Sequence, residues 1–296
     1  MSGPARARWV AVVNPAAGRG AGRKLAPALA RLFDAAGVRL DVMMSPGPDE
    51  GARLARQAVE DGYECVVAVG GDGTANECAN GLIGTGAALA LYPIGTGNDF
   101  ARNLGYPRRT RDVPRFLSQA ARRTIDVGEA NGRVFVNHVG IGIDGVVAER
   151  ARSLARTIGP ALGYAVSSLA AIATYRPTAM HVTLDGDERE GRFLVIVCSN
   201  GVQFGGGMKA APTAQMDDGW LDVTLAGDLG FRDSVLALVR LYRGTHVDGE
   251  RVDARRARAV EITLKHPLPM ELDGEVSRVD SLSVRARPAS LDVLAA

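Results

Sequence analysis

The chain has 296 residues, 46% hydrophobic and 23% charged, the balance of a folded globular protein and not of a disordered one. That length exceeds one ordinary core, so two domains are expected. A formal charge of +2 does not advertise a nucleic-acid partner, and three cysteines, Cys65, Cys78 and Cys198, lack the close pairs of a zinc site or disulfide framework and suit a reducing cytoplasm.

The apolar run Trp9 to Val13 is too short for a signal h-region and reads as a first strand. Leu25, Leu29, Leu32 and Phe33 recur at helical spacing, and Gly37 ends that helix. A second strand is expected over Leu40 to Met44, a helix around Leu54 to Val59 and a continuously apolar third strand over Cys65 to Val69. A helix over Thr74 to Leu82, a strand near Ala88 to Tyr92, and helical stretches near Asp99 and from Val113 to Arg122 complete an alternating pattern. Such alternation indicates an open α/β sheet that receives ligands at the carboxyl ends of its strands.

Beyond Ile125 the pattern changes to β-rich segments: Arg133 to Val139, Met180 to Leu184, Phe193 to Cys198, Leu221 to Leu225, Val260 to Leu264 and Leu282 to Arg287. Two helices, around Ile158 to Ala173 and Phe231 to Tyr242, interrupt them. The stretch Thr157 to Tyr175 carries no charge, but Pro160, Gly159, Gly163, Ser167, Ser168 and Thr174 dilute it, which favours a buried or cleft-lining helix over a membrane span.

The sharpest chemical signal is Gly70-Gly71-Asp72-Gly73-Thr74, directly after the third strand and before a helix. Consecutive glycines let backbone amides turn toward an anion, and Thr74 can cap the helix that follows. An ordinary tight turn has the same composition. Two more polar, glycine-bearing loops, Asn14 to Gly20 and Pro93 to Phe100, follow other strands of the same sheet, and three such loops together select a nucleotide site. No P-loop lysine, dinucleotide glycine triplet or protein-kinase motif is present.

Asn14-Pro15 with Gly18, the Gly70 to Thr74 loop and Gly95-Thr96-Gly97-Asn98-Asp99-Phe100-Ala101-Arg102 resemble the three N-terminal motifs of the diacylglycerol kinase catalytic domain. The resemblance continues through Asn137 to Asp144, Gly205 to Met208 with Ala211-Pro212, Asp217 to Val223 and Asp273-Gly274-Glu275, nearly the whole chain in order. It implies an α/β N-terminal domain with an open sheet like that of NAD kinases, residues 1–125, joined by a returning segment 288–296. A mainly antiparallel β-sandwich domain, residues 126–287, would bind lipid and metal, with ATP and lipid meeting between the two.

Carried over residue by residue, the resemblance assigns ATP contact to Asn14, Pro15, Ala16, Ala17, Gly18, Ser45, Gly71, Asp72, Gly73, Thr74, Ala75, Asn76, Glu77 and Thr96. It gives Asp72 and Asp99 the phosphates and catalytic Mg²⁺. A further Mg²⁺ would take Asp218 with the carbonyls of Gln215 and Trp220, and the proton acceptor would be Glu275 with Asp273 beside it. Arg19 stands where many relatives have lysine, and keeps the charge for an anion contact while changing its geometry.

Phosphoryl transfer asks for donors, metal and a carboxylate near the attacking hydroxyl, which these residues supply. Out of context, Asp273-Gly274 is also a good hairpin turn and Asp217-Asp218-Gly219 a plain turn. The four histidines, dispersed along the chain, read as structural. The expected function is an ATP- and Mg²⁺-dependent lipid kinase, cytoplasmic, touching the membrane surface peripherally and transiently, with Arg150, Arg152 and Arg156 at the rim. It has no nucleic-acid partner; a homodimer is one option for its assembly. The alternatives are an NAD kinase-like or sugar kinase and a catalytically silent nucleotide- or lipid-binding regulator.

Overall fold

A computed structural model describes residues 8–158, 160–247 and 250–296. The side chains of Arg152 and Arg156 lie outside what it describes. The chain divides into two compact units, residues 1–125 with 289–296, and residues 126–288.

In the first unit β1 (Trp9–Val13), α1 (Ala17–Asp34), β2 (Leu40–Met44), α2 (Gly51–Glu60), β3 (Cys65–Gly70), α3 (Asp72–Leu82) and β4 (Ala88–Pro93) alternate, followed by α4 (Asp99–Asn103) and α5 (Val113–Leu117). Every residue of β3 is buried, as is all of β1 after Trp9, which is why these strands read as unbroken apolar runs. The strands are parallel in the order β4-β3-β1-β2.

The helical expectation from Val113 to Arg122 is too long. The helix closes at Leu117, and Arg122 already lies in β5 (Ala121–Ala130), where its guanidinium reaches Asp292 at 2.5 Å.

The second unit holds β6 (Arg133–Phe135), β7 (His138–Gly142), α6 (Ile143–Ile158), α7 (Pro160–Thr174), β8 (Thr178–Leu184), β9 (Asp187–Phe193), β10 (Val195–Ser199), β11 (Leu221–Ala226), α8 (Phe231–Arg243), β12 (Val252–Ala257), β13 (Ala259–Leu272) and the start of β14 (Glu275–Ala295). Its strands pair antiparallel, β12-β11-β10-β7-β13, with β8 joined to β13 and β9 to β8. Phe135, Ile141, Ile196, Leu221 and Ile262 are almost wholly buried in its core, each contributing about 2 kcal/mol by removal from water.

The uncharged stretch belongs to two helices, not one, and Pro160 sits where the second begins, a first-turn position that proline's fixed φ favours. Among the described residues no helix is long and apolar enough to cross a membrane.

β14 starts in the second unit and ends in the first, where Asp292 and Val293 pair in parallel with Ala88 and Leu89 of β4. Tyr106 locks this end: its buried hydroxyl donates to the Leu294 carbonyl at 2.8 Å and accepts from the Leu91 amide at 3.1 Å.

Candidate active site

The three glycine-bearing loops of the first unit are wired to one another. Asn14, at the end of β1, donates through Nδ2 to Thr74 Oγ1 at 3.1 Å while its Oδ1 accepts from the Ala16 amide. Gly71 and Gly95 bring the β3 and β4 loops into backbone contact; a Cβ on Gly95 would stand 2.5 Å from Gly71 Cα, so no other residue fits that approach. Asp72 Oδ1 accepts from the Phe100 amide at 3.0 Å, and Asn98 holds Gly95 through two hydrogen bonds of 2.9 Å.

Two acids converge over the remaining glycine of the β4 loop. A Cβ on Gly97 would lie 2.8 Å from Asp72 Oδ2 and 3.1 Å from Asp99 Oδ2. Paired carboxylate oxygens with space kept open beside them fit a hard divalent cation such as Mg²⁺. Asp99 is buried, and Arg102 fixes its other oxygen at 2.9 Å.

The other residues expected to contact ATP are placed less uniformly. Ala16, Gly18, Arg19 and Thr96 are exposed, Pro15, Ala17, Gly71 and Gly73 half-buried, and Thr74, Ala75 and Asn76 buried in or beside α3. Arg19 has φ +58°, a left-handed conformation unusual for a side-chain-bearing residue, next to Gly18 and Gly20. Ser45 is buried and donates to the Gly47 carbonyl at 2.5 Å. Glu77 accepts from the Gly51 amide at 2.8 Å and so secures the start of α2.

In the second unit Asp273-Gly274 is a two-residue turn between β13 and β14, with φ of +44° and +92°, the signs a type I′ hairpin requires. The Asp273 side chain is nonetheless buried. Its carboxylate accepts from the amides of Val136 at 2.6 Å, Asn137 at 3.0 Å and His138 at 3.0 Å. Glu275, two residues on, is about one-third exposed and ion-paired with Arg133.

Asp218 sits on a segment anchored by Asp126, whose carboxylate takes the Gly219 amide at 2.6 Å. One Asp218 oxygen accepts from the Trp220 amide and the other is paired with Arg256. Arg258 stacks over the Trp220 ring at 4.3 Å, and Gln215 is exposed. The Arg256 guanidinium thus holds an oxygen that a further cation at Asp218 would need.

An apolar cavity of about 130 Å³ lies within the second unit, lined by Tyr164 and Ile172 of α7, Leu238 of α8, Val197 of β10, and Phe204 and Met208. Among the described residues Asp144, at the start of α6, is the one acid on its wall.

Behind Asp144 stands a cluster that the sequence did not reveal. His138 Nε2 is 2.5 Å from Glu271 Oε2 and 3.9 Å from Asp144 Oδ2, and the ring stacks on Phe204 at 3.9 Å. Burial pushes His138 down, but Glu271, with Asp144 and Asp273, outweighs it and lifts the imidazole to about 9. Burial and Glu271 raise Asp144 to about 7, against the pull of His138. The sequence trace of this cluster is faint: Glu271 stands between apolar neighbours near the end of β13, two residues before the Asp273 turn, and His138 precedes Asp144 by six residues.

Comparison with known proteins gives matches along nearly the whole chain. Residues 8–130 match the family described as the diacylglycerol kinase catalytic domain, and residues 137–295 that described as the YegS C-terminal NAD kinase beta sandwich-like domain. The diacylglycerol kinase of Bacillus subtilis (strain 168) is 27% identical over 89% of this chain and 88% of its own length. That of Mycobacterium tuberculosis H37Rv is 32% identical over 96% and 94%. A solved structure described as a diacylglycerol kinase from Bacillus anthracis str. Sterne shares the fold at a TM-score of 0.77, with 20% identity, over 99% of this chain and 98% of that one.

Proposed function

As a member of the diacylglycerol kinase family of lipid kinases, the chain is a kinase, and we propose that it transfers the γ-phosphoryl group of ATP to a hydroxyl of diacylglycerol or a closely related lipid. The observation that carries the lipid reading is the apolar cavity, whose walls are almost free of polar atoms. A volume of about 130 Å³ is close to that of an engineered dry cavity that admits benzene, so it suits a segment of about six carbons of an acyl chain. A polar acceptor such as NAD⁺ has no use for such a space.

In this reading the wired loops of the first unit hold the triphosphate through backbone amides, with Arg19 as a further anion contact. Mg²⁺, when bound by Asp72 and Asp99, supplies positive charge against the phosphate oxygens. The lipid oxygen forms a bond to the γ-phosphorus as the bond from that phosphorus to the β,γ-bridging oxygen breaks, and ADP departs with that electron pair. The hydroxyl proton passes to a carboxylate. Asp273 is committed to three backbone amides, whereas Glu275 is reachable from solvent and paired with Arg133; Glu275 is therefore the acceptor.

Peripheral contact with a membrane surface is part of the same proposal. The faces of α7 and α8 that turn from the cavity expose Leu162, Leu169, Phe231, Val239 and Tyr242, and Arg232, Arg240 and Arg243 of α8 add positive charge that suits anionic lipid.

The test is mass spectrometry of products after the purified protein acts with ATP and Mg²⁺ on a total lipid extract, with NAD⁺ as a parallel acceptor. A phosphorylated lipid that is absent with Asp72→Asn supports the proposal. Phosphorylated NAD⁺ with no lipid product refutes it.

A further inference from the structure

We propose that His138, Asp144 and Glu271 form a binding site for one divalent first-row transition cation, of the Zn²⁺ or Mn²⁺ class, at the polar end of the apolar cavity. The inference rests on residues of the second unit alone and stands whether or not the kinase reading of the substrate holds.

One nitrogen and two carboxylate oxygens, one from each of the three residues, lie within 4.8 Å of one another, and all three residues are at least nine-tenths buried. With metal–ligand bonds of about 2.0–2.2 Å, donors around a tetrahedral ion stand about 3.4 Å apart. The His138–Glu271 and His138–Asp144 separations, 2.5 and 3.9 Å, bracket that value. Seating an ion asks each to change by less than about 1 Å.

Charge and hydrogen bonding point the same way. Among the described residues no lysine or arginine pairs with either acid, while Asp273 adds a third carboxylate beside the imidazole. Asp144 Oδ2 and His138 Nδ1 make no hydrogen bond among the described residues, and His138 Nε2 and Glu271 Oε2 have only each other, at 2.5 Å. A buried polar atom without a hydrogen bond is costly, and a divalent cation would answer Asp144 Oδ2 while drawing the Nε2–Oε2 pair into the same coordination shell.

The donor set selects the ion class. Imidazole favours Zn²⁺ and Mn²⁺ over Mg²⁺ and Ca²⁺, which prefer all-oxygen shells. Three protein ligands leave at least one position open, and because Asp144 lines the cavity that position is on the cavity side. An oxygen of the cavity's occupant, an ester carbonyl or a hydroxyl, is the natural fourth donor.

The full chain, stripped with chelator and dialysed, is titrated with Mn²⁺ and read by pulsed electron paramagnetic resonance. Nitrogen coupling separates imidazole ligation from any all-oxygen Mg²⁺-type site. One nitrogen-coupled Mn²⁺ per chain is expected, retained in Asp72→Asn and His246→Gln and lost in His138→Gln, with affinity falling at least tenfold in Glu271→Gln. Absence of nitrogen coupling in the wild-type protein, or its survival in folded His138→Gln, overturns the proposal. If His138→Gln fails to fold, the comparison passes to Asp144→Asn, where unchanged Mn²⁺ affinity overturns it equally.

Discussion

Glu275→Gln keeps the length and shape of a side chain that is about one-third exposed while removing its capacity to take a proton. The expected result is a fall in kcat of roughly 10²- to 10⁴-fold with an unchanged denaturation midpoint, since general-base catalysis is worth about that much. Asp273→Asn should do the reverse. It sets an NH₂ group against backbone donors that now meet a carboxylate, costing about 2–3 kcal/mol of stability, read as a lower urea midpoint. If Asp273→Asn were neutral to stability and Glu275→Gln fully active, the structural role of the first acid and the proton-accepting role of the second would both be wrong. Gly95→Ala tests the nucleotide loops. Its methyl would meet Gly71 Cα at 2.5 Å, and forcing the loops apart should raise the KM for ATP about tenfold, a loss of ~1.4 kcal/mol; an unaltered KM would show that the contact does not shape the site.

Elements were legible where a single physical signal dominated. The unbroken apolar runs of β1, β3 and β4 made the parallel sheet legible, and the Gly-Gly-Asp-Gly stretch the turn from β3 into α3, because burial on both faces leaves little choice of residue. The Val113 to Arg122 helix was overextended because Arg122 and Arg123 are good helix formers, and only the distant Asp292 and the sheet draw this stretch into β5. That pairing carries a prediction about acidity. Burial alone would raise Asp292, but the Thr124 hydroxyl and the Arg122 guanidinium outweigh it and hold the carboxyl below its ordinary value. A depressed folded pKa stabilises above the unfolded value of about 3.9 and is lost as pH falls through the folded one. Asp292→Asn should therefore cost about 1 kcal/mol at pH 7, with the gap to wild type closing in acid below about pH 4. A gap that stays constant from pH 7 to pH 3 would show that the charge contributes nothing.

At the scale of the whole molecule, the order of motifs along the chain was readable and the meeting of distant side chains was not. His138 and Glu271 lie on β7 and β13, neighbouring strands far apart in sequence, so spacing alone made the histidines look dispersed; the Arg256 contact with Asp218 was hidden for the same reason. The shared strand β14 gives a prediction of its own. Deleting residues 289–296 removes the parallel partner of β4 and the acceptor of Tyr106, and should lower Tm while making proteolysis within residues 8–125 the first cleavage. Cleavage that began instead in residues 126–288 would show that the first unit stands without this strand.

During synthesis, most of the α/β unit leaves the ribosome first, yet the segment that completes its sheet is made only after all of residues 126–288. Vectorial folding, in which an early domain matures while a later one is still being translated, is therefore closed to this unit. Until residues 289–296 emerge, β4 lacks its parallel neighbour at Ala88 and Leu89, and an uncovered strand edge is a ready template for wrong pairing for as long as the second unit is being translated.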